Sequence, residues 1–201
     1  MSKFFHLFSG GLDSTVLLYD LLDQENAVKC ILFDYGQRHA KELRYAAATC
    51  EKLKVEYDRI HLPHEMFSRS ALTAGRVLKV DELNGGVTVV PNRNMVMISM
   101  AASYALCHGG TAVSWAANAD DAEIYPDCRG EFLTHLNRAL RICHTRRMEV
   151  HAPYIVRTKR QVVEKGRELG VPFDETWSCY AGGDEPCGEC GACKVRQEAM
   201  R

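Results

Sequence analysis

The sequence predicts an α/β fold with a mainly parallel sheet, flanking helices and a small C-terminal metal-binding segment. Apolar segments typical of strands alternate with segments of helical composition through most of the 201 residues. This alternation favours parallel strands joined by helical crossovers. A glycine-rich turn follows the first apolar segment, and four cysteines crowd the C-terminal tail. We divide the chain into a domain at 1–176 and a tail at 177–201.

Five segments are predicted as strands because they are short and rich in apolar, β-branched or aromatic residues. The first ends in a tight turn at Ser9-Gly10-Gly11, which is typical of a buried strand that leads into a helix. The predicted strands are residues 3–8, 28–35, 56–62, 111–117 and 149–151.

Five further segments are predicted as helices from their composition and from signals at their ends. Gly109 and Gly110 close the third helix as a C-cap, and Thr158 with Gln161 forms a capping box that opens the fifth. The predicted helices are residues 14–22, 40–53, 94–108, 131–145 and 158–169. Residues 63–90 are less regular, with loops marked by Gly75, Asn84, Gly85 and Gly86. The tail from residue 177 shows no core pattern.

Composition excludes several classes of protein. Hydrophobic residues make up 46% of the chain, too many for a disordered protein, and the net charge of −1 does not suit a nonspecific nucleic-acid or membrane-surface binder. The N-terminus does not resemble a signal peptide, and no apolar run approaches the roughly 18 residues of a membrane span. We therefore expect a cytoplasmic protein. Nine cysteines, an odd number, argue against a disulfide framework.

The turn after the first predicted strand has the properties of a phosphate-binding loop. Two glycines allow backbone N–H groups to approach an anion, and the following helix N-terminus adds its positive dipole end. The loop lacks the lysine of a Walker A motif and the glycine spacing of a dinucleotide fingerprint. Asp13 suits a position near Mg²⁺. The residues predicted to hold the nucleotide here are Phe8, Ser9, Gly10, Gly11, Leu12, Asp13, Ser14 and Thr15.

The tail carries a second motif, formed by Cys179, Cys187, Cys190 and Cys193. Four thiolates in a short, glycine-rich segment can close a tetrahedral Zn²⁺ site that leaves no open position, so we predict a structural role. An iron–sulfur cluster also takes four cysteines and is the main alternative.

Taken together, the motifs resemble a known family. The string SGGLDST at 9–15 resembles the PP-loop of N-type ATP pyrophosphatases. In order along the chain follow DYGQRH, VPNRN, NADD, YPDCR, TK and WSCY, and with them the chain resembles the QueC family of 7-cyano-7-deazaguanine synthases. The matches run from Phe8 to Cys193.

The resemblance implies an adenine-nucleotide α-hydrolase-like fold and an ATP-dependent ligase. Such an enzyme converts 7-carboxy-7-deazaguanine and ammonia to 7-cyano-7-deazaguanine through an adenylated intermediate, with release of AMP and diphosphate, in queuosine or archaeosine biosynthesis. It implies ATP, Mg²⁺ and Zn²⁺ as ligands, small molecules rather than nucleic acids as partners, and a homodimer.

Roles for individual residues follow from the matched motifs. Asp13, Ser14, Lys159 and Arg129 are predicted to be catalytic, with Lys159 neutralising the departing diphosphate and Arg129 pairing with the substrate carboxylate. Arg93 and Asn94 are predicted to contact the nucleotide. The predicted substrate-binding residues are Arg38, His39, Asp121, Asp127 and Arg129. For Lys159, Arg129 and the acidic loop, ordinary solvated surface positions are the alternative.

The chain also departs from the family pattern. Asn92 stands where Gly or Ala is frequent, and Ala-Glu-Ile precedes Tyr125 in place of the frequent Tyr-Ser-Gly. These changes flank the predicted acceptor site, so a sister enzyme that stops at the amide or adenylates another acceptor is an alternative. A non-catalytic zinc-stapled binding module is a second, and tRNA thiolation is disfavoured because no basic stripe is present.

Overall fold

The computed structural model describes residues 3–68, 70–73 and 79–201. Within these ranges the protein contains one five-stranded sheet in which every pairing is parallel. The strand order is β3-β2-β1-β4-β5. The strands are β1 Lys3–Leu7, β2 Ala27–Asp34, β3 Glu56–His61, β4 Ala112–Ser114 and β5 Glu149–His151. The predicted α/β fold is confirmed, whereas the loop expected at Gly75 lies outside the described residues.

In the described residues, five of the six α-helices cover the two faces of the sheet, and the sixth packs on α5. On one face, α3 and α4 pack against Phe5, Ile31 and Val113, which point away from the other face because side chains alternate along a strand. On the opposite face, α1, α2 and α5 bury Cys30, Leu32 and their neighbours. The helices are α1 Leu12–Asp23, α2 Glu42–Leu53, α3 Arg93–Cys107, α4 Gly130–Ile142, α5 Lys159–Glu168 and α6 Gly191–Ala199.

All five predicted strands and all five predicted helices are present, with shifts at their ends. The largest shifts are of three residues: β4 was predicted at 111–117 but ends at Ser114, and α4 was predicted at 131–145 but ends at Ile142. Beyond Ser114, Ala116 and Ala117 line a cavity and Ala119 donates to the Arg157 carbonyl, so the chain leaves the sheet early. The predicted capping box of α5 is confirmed, since Thr158 Oγ1 accepts from Gln161 N and Gln161 Oε1 accepts from Thr158 N.

The expectation that the tail has no core pattern is wrong. Its last helix, α6, packs on α5, and Ala199 is buried with side chains of α1 and α5. The Arg196 guanidinium also donates to the Thr176 hydroxyl at 2.8 Å. The apolar residues of α6 repeat over only a short segment, and this signal is too weak to predict the packing from the sequence. The boundary at residue 176 stays a prediction.

Among the described residues, no helix combines the length and apolar character that a bilayer crossing requires.

Candidate active site

A cavity of about 650 Å³ opens at the carboxyl ends of the parallel strands. Its floor is apolar and includes Leu7, Ile31 and Phe33, which stand at the ends of β1 and β2. Ligands of open parallel sheets bind at this edge, at the point where later strands are added on the opposite side of the first strand. Here β2 lies on one side of β1 and β4 on the other. The N-terminus of α3 and part of the cysteine-rich tail form the remaining walls. The cavity is large enough for a nucleotide and a small acceptor.

The predicted phosphate loop forms one wall of this cavity. Its conformation is held by internal hydrogen bonds: Ser9 Oγ accepts from Gly11 N at 3.2 Å, and Ser14 Oγ donates to Gly11 O at 3.1 Å. Thr15 Oγ1 also donates to Gly11 O, at 2.8 Å. The loop therefore presents the N-terminus of α1 to the cavity in a fixed shape, which suits an anion.

Gly10 contacts protein rather than the cavity. Its φ is +77°, and a Cβ at this position would lie 2.5 Å from the Glu42 carbonyl oxygen and 2.7 Å from the Ala46 amide nitrogen. Its own carbonyl accepts from Trp177 N at 2.9 Å. Gly10 thus joins the phosphate loop to α2 on one side and to the tail on the other.

We expect Gly10→Ala to lower the free energy of unfolding by roughly 3 kcal/mol or more, because it combines a strained φ with backbone overlap. Gly109→Ala is the matched control, since Gly109 has φ +73° with nothing within 4 Å of an added Cβ. That variant tests the φ penalty alone, roughly 1–2 kcal/mol. Urea unfolding of both variants measures the difference, and equal losses would contradict the close approach of α2.

A buried histidine fixes the loop to the sheet. His6 Nε2 lies 2.8 Å from the Ser14 carbonyl oxygen, and His6 Nδ1 lies 2.9 Å from Ser114 Oγ. Burial lowers the pKa of His6 to about 4, so the ring is neutral at pH 7. A carbonyl only accepts, hence Nε2 carries the proton and Nδ1 accepts from the Ser114 hydroxyl. This bond orients the first turn of α1 toward the cavity.

The charged groups of the site gather beside the loop. Lys159, at the start of α5, forms an ion pair with Asp13 in which both side chains are largely buried. Asp120 accepts from the Lys159 backbone N–H at 2.8 Å, and Asp121 accepts from Asn118 Nδ2 at 2.8 Å. The second carboxylate oxygen of Asp13, Oδ1, is buried and has no hydrogen-bond partner. A cation near Asp13 would satisfy that oxygen.

The same charges shift the protonation of the site. Burial, together with the negative charges of Asp13 and Asp120, raises the pKa of Asp121 to about 6 although Lys159 opposes the shift. Burial alone would lower the pKa of Lys159, but the charges of Asp13 and Asp121 outweigh it and the pKa is raised. Lys159 therefore stays protonated at neutral pH.

A second polar cluster, formed by Tyr35, His39, Glu42 and Arg93, also lines the cavity. Arg93 donates to Tyr35 Oη at 2.9 Å, and His39 Nε2 lies 3.5 Å from Glu42 Oε2. Burial, followed by the charges of Arg93 and Arg38, lowers the pKa of His39 to about 3. Burial raises the pKa of Glu42 to about 8, against the opposing charge of Arg93 and the hydrogen bond from Gln37.

The cavity lining includes most, but not all, of the predicted site residues. Those that line it are Phe8, Ser9, Gly11, Leu12, Asp13, Ser14, His39, Arg93, Asn94, Asp121 and Lys159. Gly10 and Thr15 do not line the cavity, but their hydrogen bonds hold the loop in place. Arg129 is exposed and donates to the Ala122 carbonyl, and Asp127 and Arg38 also lie outside the lining. The lining of the cavity therefore does not include Arg129, Asp127 or Arg38, although Arg38 lies near enough to His39 for its charge to lower the pKa of that ring.

Several lining residues were not predicted from the sequence. Tyr35 and Glu42 flank the predicted His39, while Trp177, Ser178 and Tyr180 come from the tail. An acidic residue in the first turn of a helix is ordinary dipole compensation, so the position of Glu42 carried no signal of its own. The matched motifs DYGQRH and WSCY contained Tyr35 and the tail residues, but a motif does not show which side chains face a cavity.

The four tail cysteines form a compact cluster. Their sulfur atoms all lie within 4.8 Å of one another, and three of the four residues are buried. Tetrahedral Zn²⁺ with Zn–S bonds of about 2.3 Å separates its sulfurs by roughly 3.8 Å, and Cys187 and Cys193 Sγ are 3.9 Å apart. The donor set therefore fits one metal ion. The cluster packs against Leu83 and against Trp177, which lines the cavity.

Comparison with known proteins agrees with this geometry. A family model described as queuosine biosynthesis protein QueC matches residues 3–201. The chain belongs to the QueC family. Its relatives include the 7-cyano-7-deazaguanine synthases of Methanoregula boonei, 42% identical over 97% of this chain and 92% of the relative, and of Caldicellulosiruptor saccharolyticus, 41% identical over 97% and 89%. The resemblance predicted from the motifs is confirmed.

Solved structures similar to this QueC-family chain share its fold. The U34-tRNA thiolase NcsA of Methanococcus maripaludis, solved with its [4Fe-4S] cluster, aligns with a TM-score of 0.58 and 16% identity over 98% of this chain and 64% of the thiolase. The NMN synthetase of Francisella tularensis aligns with a TM-score of 0.52 and 15% identity over 99% of this chain and 76% of the synthetase. At such low identity these likenesses show the fold alone.

Proposed function

We propose that the protein is an ATP-dependent ligase that converts 7-carboxy-7-deazaguanine and ammonia to 7-cyano-7-deazaguanine, releasing AMP and diphosphate. The observation that carries the proposal is the meeting of the Ser9–Ser14 loop, Lys159 and the His39–Glu42 cluster in one cavity. Membership of the QueC family, whose relatives carry the synthase name, supports the same assignment.

The first half of the reaction activates a poor electrophile. A carboxylate repels nucleophiles because it is negatively charged. Attack of one of its oxygens on the α-phosphorus of ATP gives an acyl adenylate and diphosphate. The N-terminus of α1 and Lys159 face the cavity where negative charge accumulates on the leaving diphosphate. Asp13 holds Lys159 in place through their ion pair.

In the second half, ammonia attacks the adenylate carbon and AMP leaves, which gives the amide. A second ATP then adenylates the amide oxygen with release of a second diphosphate, and loss of AMP together with the two amide protons leaves the nitrile. Both halves need the acceptor held in line with the nucleotide, so positioning and charge neutralisation dominate the catalysis that the chain itself supplies. No side chain of the chain forms a covalent intermediate in this scheme.

We further propose that the four cysteines hold one structural Zn²⁺ and that Asp13, with Asp121, helps to hold Mg²⁺ on ATP. A sulfur spread of 4.8 Å supports a single ion, because the four thiolates of a cubane cluster each bind a different iron and stand further apart. The partnerless Oδ1 of Asp13 supports the magnesium assignment. Metal analysis near one zinc per chain, without iron or labile sulfide, tests the first proposal.

The experiment that tests the proposed function measures the mass of the product. Purified protein is incubated with 7-carboxy-7-deazaguanine, ATP, Mg²⁺ and ammonium, and products are weighed by mass spectrometry. We expect the nitrile, together with AMP and diphosphate. Accumulation of the amide alone would support the sister enzyme that stops half-way, and absence of AMP with this acceptor would reject the proposed substrate. Omitting ammonium is the control, since only the adenylate can then form.

We also propose that the protein acts as a homodimer on small molecules in the cytoplasm, without a nucleic-acid partner. The family resemblance supports the dimer, and the net charge of −1 supports the absence of a nucleic-acid surface. Light scattering after size-exclusion chromatography measures the mass, for which we expect two chains.

A further inference from the structure

Glu42 is a buried carboxyl that the reaction scheme leaves without a role. Its residue is 9% exposed, and its side chain lines the cavity from the first turn of α2. Its nearest polar contacts are weak, because Gln37 Nε2 lies 3.3 Å from Oε1 and His39 Nε2 lies 3.5 Å from Oε2. Burying a carboxyl costs several kcal/mol unless strong partners compensate. The two carboxyl oxygens of Glu42 can therefore accept stronger hydrogen bonds than the described residues donate to them.

The neighbouring side chain is also incompletely paired. His39 is 4% exposed and lines the cavity beside Glu42, and its Nδ1 has no hydrogen-bond partner. The Tyr180 ring lies next to it, with ring centroids 5.5 Å apart. A buried carboxyl and a free ring nitrogen, flanked by an aromatic wall, form a subsite for a flat heterocycle with several hydrogen-bonding groups.

The chemistry of Glu42 selects among heterocycles. The pyrimidinone edge of a guanine-like base presents two adjacent donors, N1–H and the 2-amino group, which match the two oxygens of one carboxylate. Adenine presents a donor next to an acceptor, and an ionised carboxylate repels the latter. The 7-substituent lies on the far side of the ring system from that edge. A base read by Glu42 therefore directs its 7-carboxyl away from this cluster into the cavity.

We propose that Glu42 is the residue that specifies the acceptor by accepting hydrogen bonds from N1–H and the 2-amino group of the deazaguanine, with Tyr180 against the ring. This inference rests on the proposed function and adds to it the residue that determines specificity. Arg93, which donates to Tyr35 Oη at 2.9 Å, supplies the compensating positive charge at the same end of the cavity.

The proposal has a pH signature. Free Glu42 has a pKa of about 8, and the donors of the base favour its ionised form, so binding releases a proton below pH 8. Affinity for the deazaguanine should therefore rise about tenfold per pH unit toward pH 8 and level off above it. The groups that face Glu42 keep one protonation state between pH 6.5 and 8. Burial lowers the pKa of His39 to about 3 and raises the pKa values of Tyr35 and Tyr180, while Arg93 stays protonated and Gln37 does not ionise.

The experiment compares two ligands on three proteins by calorimetry, with a non-hydrolysable ATP analogue present. The ligands are 7-carboxy-7-deazaguanine and the matched compound without the 2-amino group. The proteins are the wild type, Glu42→Gln and the control Glu51→Gln, an exposed glutamate on the same helix. We expect the wild type and the control to prefer the amino compound by roughly 10- to 100-fold at pH 8.5. Glu42→Gln should lose most of this preference and the rise with pH.

The outcomes separate the two levels of the proposal. If the wild type binds 7-carboxy-7-deazaguanine no more tightly than the compound without the 2-amino group, the role of Glu42 is overturned and the proposed function still stands. If the wild type binds neither ligand, the proposed function fails as well. A general folding defect in Glu42→Gln would also lower its affinity for the ATP analogue. We expect that affinity to stay within about twofold of the wild-type value. The wild-type preference decides the matter even if the variant does not fold.

Discussion

Asp13→Asn is expected to slow AMP formation by roughly 100- to 1,000-fold, as loss of a preorganised charge in an active site does. Asp13 is the one described link between the phosphate loop and Lys159, since its Oδ2 pairs with the lysine on α5 while Oδ1 remains without a partner. An amide keeps the shape of the side chain but removes the charge that orients the lysine and attracts Mg²⁺. Diphosphate release with the carboxy-deazaguanine as acceptor measures the effect.

The variant should remain folded, because Lys159 keeps the nearby charge of Asp121. ATP binding distinguishes the proposed role from a general defect. Without Mg²⁺ the affinity of Asp13→Asn should equal that of the wild type or exceed it, while the gain that Mg²⁺ confers should be lost. Asp23→Asn is the control, an exposed aspartate at the other end of the same helix. Turnover of Asp13→Asn within threefold of the wild type would refute the assignment.

The sequence predicted this region well because its signals are local. A buried strand, a glycine turn and a helix start are contiguous from Lys3 to Asp23, so their arrangement does not depend on distant contacts. The cysteine cluster was predicted for the same reason, since chain length alone keeps its four thiols together. The capping box of α5 likewise lies within four residues, and it placed Lys159 at a helix start.

The part of the cavity around Glu42 was harder to predict because distant segments build it. Glu42 meets Arg93 from a separate helix, and Tyr180 arrives from the tail. Periodicity and spacing do not encode such meetings, and so the prediction selected Arg129 and Asp127, which the structure places outside the lining. The packing of α6 was missed for a related reason: its burial depends on α5 and on a cysteine cluster rather than on an apolar stripe of its own.

Loss of the metal that we propose for the tail cysteines is expected to have the largest effect on stability. Cys190 is fully buried, forms the N-cap of α6 and packs with Leu83 and Trp177. Structural zinc sites contribute on the order of 10 kcal/mol in small domains, but this chain also has a separate core in its sheet. We expect Cys190→Ser to lose the bound metal and roughly 4–5 kcal/mol of stability, which corresponds to a Tm lower by about 10–20 °C at this chain length.

The same variant should bind ATP at least tenfold more weakly, although no cysteine contacts the nucleotide in the proposed scheme. Trp177 N donates to the carbonyl of Gly10 in the phosphate loop, and Trp177 Nε1 donates to the Cys179 carbonyl, so a continuous set of bonds links the cysteine cluster to the loop. Calorimetry on Cys190→Ser, with the exposed Cys107→Ser as control, measures the coupling. A metal-free variant that binds ATP as the wild type does would show that the tail stabilises the fold without shaping the cavity.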